Sequence, residues 1–369
     1  MAIKSILESL GVYIPQGRLS TKDAVEGCKV KPTVDMEELT GIKKRPVVGE
    51  NEYSLDLAVK AVDKCFEISR YDPWDMDMVI CANICRYNGH NYKVNYEPCS
   101  AAQLARHFSF GNAILFDVSN ACAGMFTAFN VLDSFIKTGT VKRGLVVSGE
   151  YITHLINNAQ KEISSSVDLQ FASLTLGDSG AAYILEGTDD PNIGFHHIEM
   201  FTSAEHCWLC VGEPSKKGNP GYVMNTDSIG IHTHLISLGT DLILRTIKGT
   251  PWEDNNCNHY IQHQTASRAI HAMSNLLNNA LGKKVFTKDN AIVNLTERGN
   301  TSSTSHFVAL WDHINNGRIT SHDNIIFSIL ASGVNIGVAL YTLDDLPERI
   351  IKIEQRRCYG DQSREYRYI

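Results

Sequence analysis

Residues 113–139 read AILFDVSNACAGMFTAFNVLDSFIKTG. Ala113 to Val118 is a short apolar run of strand length, and Ser119–Asn120 interrupts it. From there Met125, Phe126, Phe129, Leu132 and Ile136 recur at helical spacing, and Gly139 stops the pattern. A buried strand that feeds a helix through a small polar turn is the building unit of an α/β protein.

The same alternation extends outward in both directions. Leu55, Ala58, Val59, Val62, Cys65 and Phe66 share a helical face that ends before Pro73, and Asp77 to Ala82 follows as a buried strand. Gly144 to Ser148 predicts another. Further on, Ile261 and Gln262 close a short strand, and Ala266, Ala269, Ile270, Met273, Leu276, Leu277 and Ala280 stripe a helix up to Gly282. Phe307, Leu310, Trp311 and Ile314 make a helix ending at Gly317. Ile325 to Leu330 and Val338 to Leu343 read as a hairpin around SGVNIG, matched in the first half by GDSGAAYILE at Gly177 to Glu186. The expectation is two similar α/β halves, 1–187 and 188–369. Glu205 to Asp227 has no lasting period and reads as an insertion or long loop; Pro347 to Ile369 reads as a charged surface tail.

Composition sets limits on partners. The chain has 369 residues, 43% of them hydrophobic, and 34 Lys and Arg against 41 Asp and Glu, for a net charge of −7. That excludes collagen, coiled coil and disorder. Without a run of like charges it offers neither a nucleic-acid surface nor a polybasic membrane anchor. MAIKSILESLGVYIP is neither a signal peptide nor a membrane span, being a short strand pattern that contains Lys4 and Glu8. Ten cysteines without regular spacing do not make a disulfide scaffold, so a reducing cytoplasm is expected.

Cys122 differs from the other thiols in position, standing where a strand passes into a helix. Unpaired amides and the positive helix end favour a thiolate there, and Ala121, Ala123 and Gly124 leave room for a carbonyl. A nucleophile with its own amide as oxyanion donor is one reading; a buried space-filling cysteine is the other. His263 stands at a strand end, as a site residue or as one of 14 ordinary histidines. Asn300, in ERGNTSSTS, reads as a turn or cap asparagine, or as part of a site. Cys207 and Cys210 form a CxxC beside His206, and His232 and His234 an HxH. With no second CxxC to complete a zinc site and no thioredoxin-like context, they read as part of a loop over the site, Trp208 and Leu209 packing inward.

NACAG around Cys122, His263–Gln264 and GNTSSTS at Asn300 resemble, in order, the three active-site segments of the β-ketoacyl-acyl-carrier-protein synthase III family. TGIKKR (Thr40 to Arg45), LGDSGAA (Leu176 to Ala182) and the terminal SGVNIG extend the likeness from about Ile3 to Leu343. The resemblance implies a thiolase-like, five-layered αβαβα fold of two similar halves, a homodimer, and decarboxylative Claisen condensation in fatty-acid or polyketide synthesis. Cys122 would carry the acyl group, and His263 and Asn300 would stabilise the enolate of a malonyl-type thioester. The amides of Cys122 and Gly333 would hold the oxyanion. Substrates would be acyl-carrier-protein or coenzyme A thioesters, with no metal and no other cofactor. Two other readings are acyl transfer to an alcohol or amine without decarboxylation, and a non-catalytic subunit, against which the intact trio argues.

The chain departs from the family pattern at several places. Gln264, Thr265 and Ala266 follow the histidine where the family has an asparagine. The terminal turn is reduced to Ala331–Ser332–Gly333, and Asp35, Met36 and Glu37 stand where a tryptophan commonly stacks on the coenzyme A adenine. Loading by an acyl carrier protein is the expectation these departures raise.

Overall fold

A computed structural model describes residues 3–89, 92–254 and 256–358. The first half comprises β1 (Lys4–Tyr13), β2 (Gly17–Ser20), α1 (Thr21–Glu26), α2 (Met36–Thr40), β3 (Lys44–Val47), α3 (Ser54–Ile68), β4 (Met78–Cys81) and α4 (Ser100–Leu104). It continues with β5 (Ile114–Asp117), α5 (Gly124–Lys137), β6 (Arg143–Glu150), α6 (His154–Glu162) and β7 (Ser179–Thr188). The second contains β8 (Gly194–Thr202), β9 (Cys210–Pro214), β10 (Tyr222–Thr226), α7 (Ser228–Ile247), β11 (His259–Gln262) and α8 (Ser267–Leu281). α9 (Leu295–Arg298), α10 (Ser305–Asn315), β12 (Asn324–Ala331), β13 (Asn335–Thr342) and α11 (Leu346–Cys358) complete it.

The strands form a five-stranded sheet in the order β1-β7-β6-β4-β5 and a four-stranded sheet in the order β11-β12-β13-β8. Each sheet follows one rule: β4 and β11 run parallel to β6 and β12, whose other neighbours, β7 and β13, are antiparallel. An isolated parallel bridge from Tyr260 to Ala291 stands where β5 lies beside β4. This is the topology of a duplicated unit.

Helices α5 and α10 lie between the sheets, α3 covers the outside of the first, and α7 and α8 cover the outside of the second, giving five layers. The central layer is joined by aromatic rings. Tyr183 stacks on Phe307 at 4.7 Å, Phe307 on Phe126 at 5.3 Å, and Phe126 meets Phe327 at 5.5 Å, so one chain of contacts runs from sheet to sheet. Truncating such a ring costs roughly 3–5 kcal/mol, which is why the two halves hold a fixed relation. On the outer face α3 approaches the sheet through glycines. A Cβ at Gly11 would lie 2.2 Å from Cys65 N, at Gly149 2.0 Å from Ser54 O and at Gly180 2.2 Å from Leu57 O.

Several expectations need correction. Strand β1 buries even Glu8 and is covered on both faces, because α3 covers one side and the central helices the other. Strands β6 and β7 do pair, yet residues 151–178, with α6, intervene where a tight hairpin was expected. The 205–227 segment is a short 3-10 turn followed by the β9–β10 hairpin. Glu162 on α6 ties that hairpin down by accepting from Ser215, Lys217 and Asn219. Trp208 does not pack inward; it is 81% exposed. The expected tail from Pro347 begins as α11, which buries Leu346 and Ile350 against the central layer; the remainder, 359–369, lies outside the described residues. Among the described residues no helix is long and apolar enough to cross a membrane.

Candidate active site

Strand β5 delivers the chain to Asn120, and Ala121–Ala123 form one 3-10 turn before α5 begins at Gly124. Ala121 holds φ +43, a left-handed conformation that is costly for a residue with a Cβ. Gly124 admits the next turn, since a Cβ there would lie 2.9 Å from the carbonyl oxygen of Ala82. Cys122 is therefore presented at the end of the central helix, partly exposed, with its Sγ 3.6 Å from Ser302 Oγ.

The polar run 299–305 is the hub of the site. Asn300 donates its N–H to Thr175 O and its carbonyl accepts from Gly177, so the run is laid along the LGDSGAA segment. Gly299 and Gly177 are required by that close approach: a Cβ on Gly177 would lie 2.2 Å from Arg298 O, and one on Gly299 2.7 Å from Thr175 O. Below them the buried Arg45 donates to Leu19 O, Thr21 Oγ1 and Leu174 O, and Asp178 N–H donates to Pro46 O. The TGIKKR, LGDSGAA and GNTSSTS segments thus form one scaffold, whose purpose is to fix where the hydroxyls of 302–305 point.

Each of those hydroxyls lands on a different element. Ser302 faces Cys122; Ser303 donates to Glu150 Oε1 at 2.5 Å and lies 2.8 Å from Ser148 Oγ; Thr304 lies 2.6 Å from Ser179 Oγ; Ser305 reaches His263. His263 follows β11 and anchors its N–H on Ser328 O. Its Nδ1 lies 3.0 Å from Ser305 Oγ, which accepts the N–H of Gln264 at 2.9 Å. Among the described residues the Ser305 proton has Nδ1 as its one acceptor. Nδ1 therefore accepts and Nε2 carries the ring proton, an assignment that follows from the hydrogen-bond network. That Nε2 is buried and has no protein partner among the described residues.

Burial holds the His263 imidazole well below its ordinary pKa, with His306 and His232 adding to the effect, so it is neutral. His306 stacks behind it, ring centroids 5.6 Å apart. Asn300 Oδ1 accepts the Ser302 N–H at 2.9 Å, which leaves its Nδ2 without a partner among the described residues. Burial pushes the Cys122 thiol up to about 12; the Ser302 hydroxyl opposes that shift, while Cys210 and Glu150 add to it. Burial at Cys122 thus works against the thiolate that its place at a helix end favours. Cys210 on β9 and His232 on α7 border the site closely enough to act on Cys122 and His263 electrostatically.

Gly333 sits in the β12–β13 turn with φ +109. Asn335 links that turn to the turn that carries Cys122, its Nδ2 donating to Ser332 O at 2.6 Å and to Asn120 Oδ1 at 2.9 Å. Gln264 has a structural role: its side chain donates to Gln262 O and Ile292 O and accepts from Asn294 N. Ala266, where the family has asparagine, is the residue before α8 and caps nothing. Asp35 is the N-cap of α2, accepting from Glu38 N. His206 and His234 stack on each other at 3.6 Å, and no group of three His, Cys, Asp or Glu suited to a metal exists among the described residues. Sequence reasoning missed Ser302, Ser305 and Glu150 as members of the site, although the serines lie inside a run it singled out.

A thiol at the head of a central helix meets the 300–305 run, which carries a carboxamide at Asn300 and holds the neutral imidazole of His263 through Ser305, all on a duplicated αβαβα fold; that is the framework of a thiolase-fold condensing enzyme. Two family models match: 3-oxoacyl-[acyl-carrier-protein] synthase III over residues 116–204, and the C-terminal part of the same synthase over 248–343, together half of the chain. The chain belongs to the 3-oxoacyl-[acyl-carrier-protein] synthase III family and is an acyltransferase of that kind. It is 26% identical over 332 residues to the β-ketoacyl-[acyl-carrier-protein] synthase III of Histophilus somni, covering 89% of this chain and 96% of that one. Among solved structures it is similar to the synthase III of Pseudomonas aeruginosa, with a TM-score of 0.76 at 19% identity, covering 93% of this chain and 99% of that one. A structure of Xanthomonas campestris OleA matches with a TM-score of 0.79 at 18% identity, over 93% and 99% of the two chains.

Proposed function

We propose that Cys122, His263 and Asn300 carry out a decarboxylative Claisen condensation between an acyl thioester and a malonyl-type thioester. In the first half-reaction Cys122 Sγ bonds to the acyl carbon, the donor's carbon–sulfur bond breaks, and the proton of Cys122 leaves with the donor as a free thiol. In the second, loss of carbon dioxide from the malonyl unit leaves an enolate, whose oxygen accepts from His263 Nε2–H and Asn300 Nδ2–H. The enolate carbon attacks the acyl carbon, and the amides of Cys122 and Gly333 stabilise the resulting oxyanion before Sγ departs.

The observation that carries this reading is the pair of unused donors. His263 is held at Nδ1 and Asn300 at Oδ1, so both present an N–H that nothing among the described residues accepts. Simple acyl transfer would need an oxyanion hole but no second pair of neutral donors. The asparagine clasp between residues 120 and 335 supports Gly333 as the oxyanion partner, since it couples the two turns.

Each half, 1–187 and 188–369, contributes part of the site, the first the thiol and the second the imidazole and carboxamide. The acyl donor is an acyl-carrier-protein thioester, a reading supported by Asp35 serving as a helix cap where a coenzyme A-stacking tryptophan was expected. Strand β5 leaves a free sheet edge with Ile114 half exposed, which supports a homodimer built on that edge. The enzyme works in the cytoplasm. Intact-protein mass spectrometry after incubation with matched acyl-carrier-protein and acyl-coenzyme A donors, followed by a malonyl thioester, tests all of this chemistry. Acylation at Cys122 and then release of carbon dioxide are expected; transfer to an alcohol or amine with no carbon dioxide would replace condensation by acyl transfer, and activity in Cys122→Ala would overturn both.

A further inference from the structure

Ser302 stands apart from its neighbours in the 301–305 run. Ser303, Thr304 and Ser305 bind other protein groups, whereas the Ser302 hydroxyl, in a residue 1% exposed, has the Cys122 sulfur as its one partner among the described residues. Its backbone holds φ +58, where glycine would sit without strain and an L side chain is disfavoured. Ala121, beside the thiol, is also left-handed at φ +43. Two strained residues, one from each half, thus bring a hydroxyl against the nucleophile, and a side chain kept at a position that suits glycine has a reason to be there.

Among the described residues no other side chain is hydrogen-bonded to Cys122 Sγ. Among the described residues no hydrogen bond joins Cys122 to His263, and the His263 ring presents Nε2–H, which donates and cannot take the thiol proton. Asn300 Oδ1 accepts the Ser302 N–H and so holds the hydroxyl in place.

We propose that Ser302 is a catalytic residue of the acyl-loading step, its O–H donating a hydrogen bond to Cys122 Sγ and stabilising the thiolate that attacks the thioester. The hydroxyl keeps its own proton throughout; the thiol proton leaves with the displaced donor. A thioester sulfur accepts hydrogen bonds poorly, so the contact favours the attacking thiolate over the acylated product, the differential binding that catalysis requires. The burial that pushes the thiol up to about 12 makes such a donor necessary, and Ser302 is the leading influence opposing it. The proposal rests on Cys122 being the acylated residue.

The test is the rate of Cys122 alkylation by iodoacetamide between pH 7 and 9, read at that cysteine by peptide mass spectrometry, in native protein, Ser302→Ala and Ser302→Gly. Loss of a hydrogen bond to a charged sulfur moves the titration up by about one unit. Each thiolate becomes more nucleophilic as it becomes more basic, so the net rate falls about threefold at every pH. The glycine variant removes the hydroxyl while relieving the backbone, and it is expected to be as slow as the alanine variant with unchanged or higher thermal stability. Native rates in either variant overturn the role of the hydroxyl. Product formation by Cys122→Ala instead refutes the nucleophile, an outcome separate from the first.

Discussion

Replacing Ser305 by alanine isolates the tautomer of His263 from the rest of the site. The Ser305 Oγ accepts the N–H of Gln264 at 2.9 Å and meets His263 Nδ1 at 3.0 Å, in surroundings where both residues are 2% exposed or less. Removing it leaves a buried donor and a buried ring nitrogen unpaired, each worth about 1–3 kcal/mol, so a loss of roughly 2–6 kcal/mol of stability is expected. With an unfolding entropy of about 2.1 cal/mol/K per residue over 369 residues, that corresponds to a fall in Tm of about 3–8 °C. Catalysis should fall by more than stability alone explains. With Nδ1 no longer held, the ring takes both neutral tautomers, and the enolate loses a donor that had been oriented in advance. Complete loss of such a donor costs on the order of 10²–10³ in rate; a partial tautomer shift should cost about tenfold. The assay pairs ¹⁵N shifts of the His263 ring with carbon dioxide release from a malonyl thioester, alongside acylation of Cys122, which should stay near the native rate. A variant whose ring remains wholly in the Nε2–H form, with native carbon dioxide release, would show that Ser305 does not set the tautomer.

Asn300→Ala should lower carbon dioxide release by about 10²–10³ and acyl loading by much less, since in the proposed mechanism Asn300 donates to the enolate and supports the thiol only through Ser302; equal losses in the two half-reactions would contradict the proposed roles. Gly149→Ala should prevent folding or cost more than about 3 kcal/mol, because its Cβ would stand 2.0 Å from Ser54 O and α3 cannot retreat without uncovering the sheet; soluble protein of native Tm would exclude that packing argument. Glu150 is fully buried and burial pushes its carboxyl up to about 7, so the folded state binds a proton that the unfolded chain releases near its ordinary value of 4.5. Its contribution to stability therefore falls as pH rises from about 4.5 to 7, by about 3 kcal/mol, and the stability difference between native protein and Glu150→Gln, measured by urea denaturation across that window, should shrink accordingly. A difference that is flat or grows with pH would show the carboxylate to be ionised throughout.

Much of the fold was legible because its signals are local. The stripes on α3, α5, α8 and α10 and the apolar runs of β4, β5, β6 and β12 repeat at the period of their own elements, and the glycines at 139, 282 and 317 stop helices in left-handed conformations. Helix α7 escaped that reading. Its buried residues Ile231, Leu235, Leu242, Ile243 and Ile247 are interrupted by Gly230 and Gly239, and Gly239 is explained by Leu330 and Met273, which fill the space where its side chain would be. The β9–β10 hairpin escaped because its stability comes from Glu162 and Asn158 on α6, far away in the chain.

Cys122, His263 and Asn300 could be put forward as candidates from the letters around them, because a cysteine at a strand-to-helix turn and a histidine at a strand end are local facts and the three segments resemble those of a known family. The protonation state of the thiol, the tautomer of the imidazole and the direction of each hydroxyl in 302–305 could not. Those depend on burial and on partners more than a hundred residues distant, such as Ser302 for Cys122 and Glu150 for Ser303. The order of residues is enough to say which reactive groups exist and which elements carry them. Which of their atoms donate, which accept and which are left for a substrate is settled in the folded molecule, because hydrogen-bond partners and dielectric surroundings are made by packing and not by neighbours in the chain.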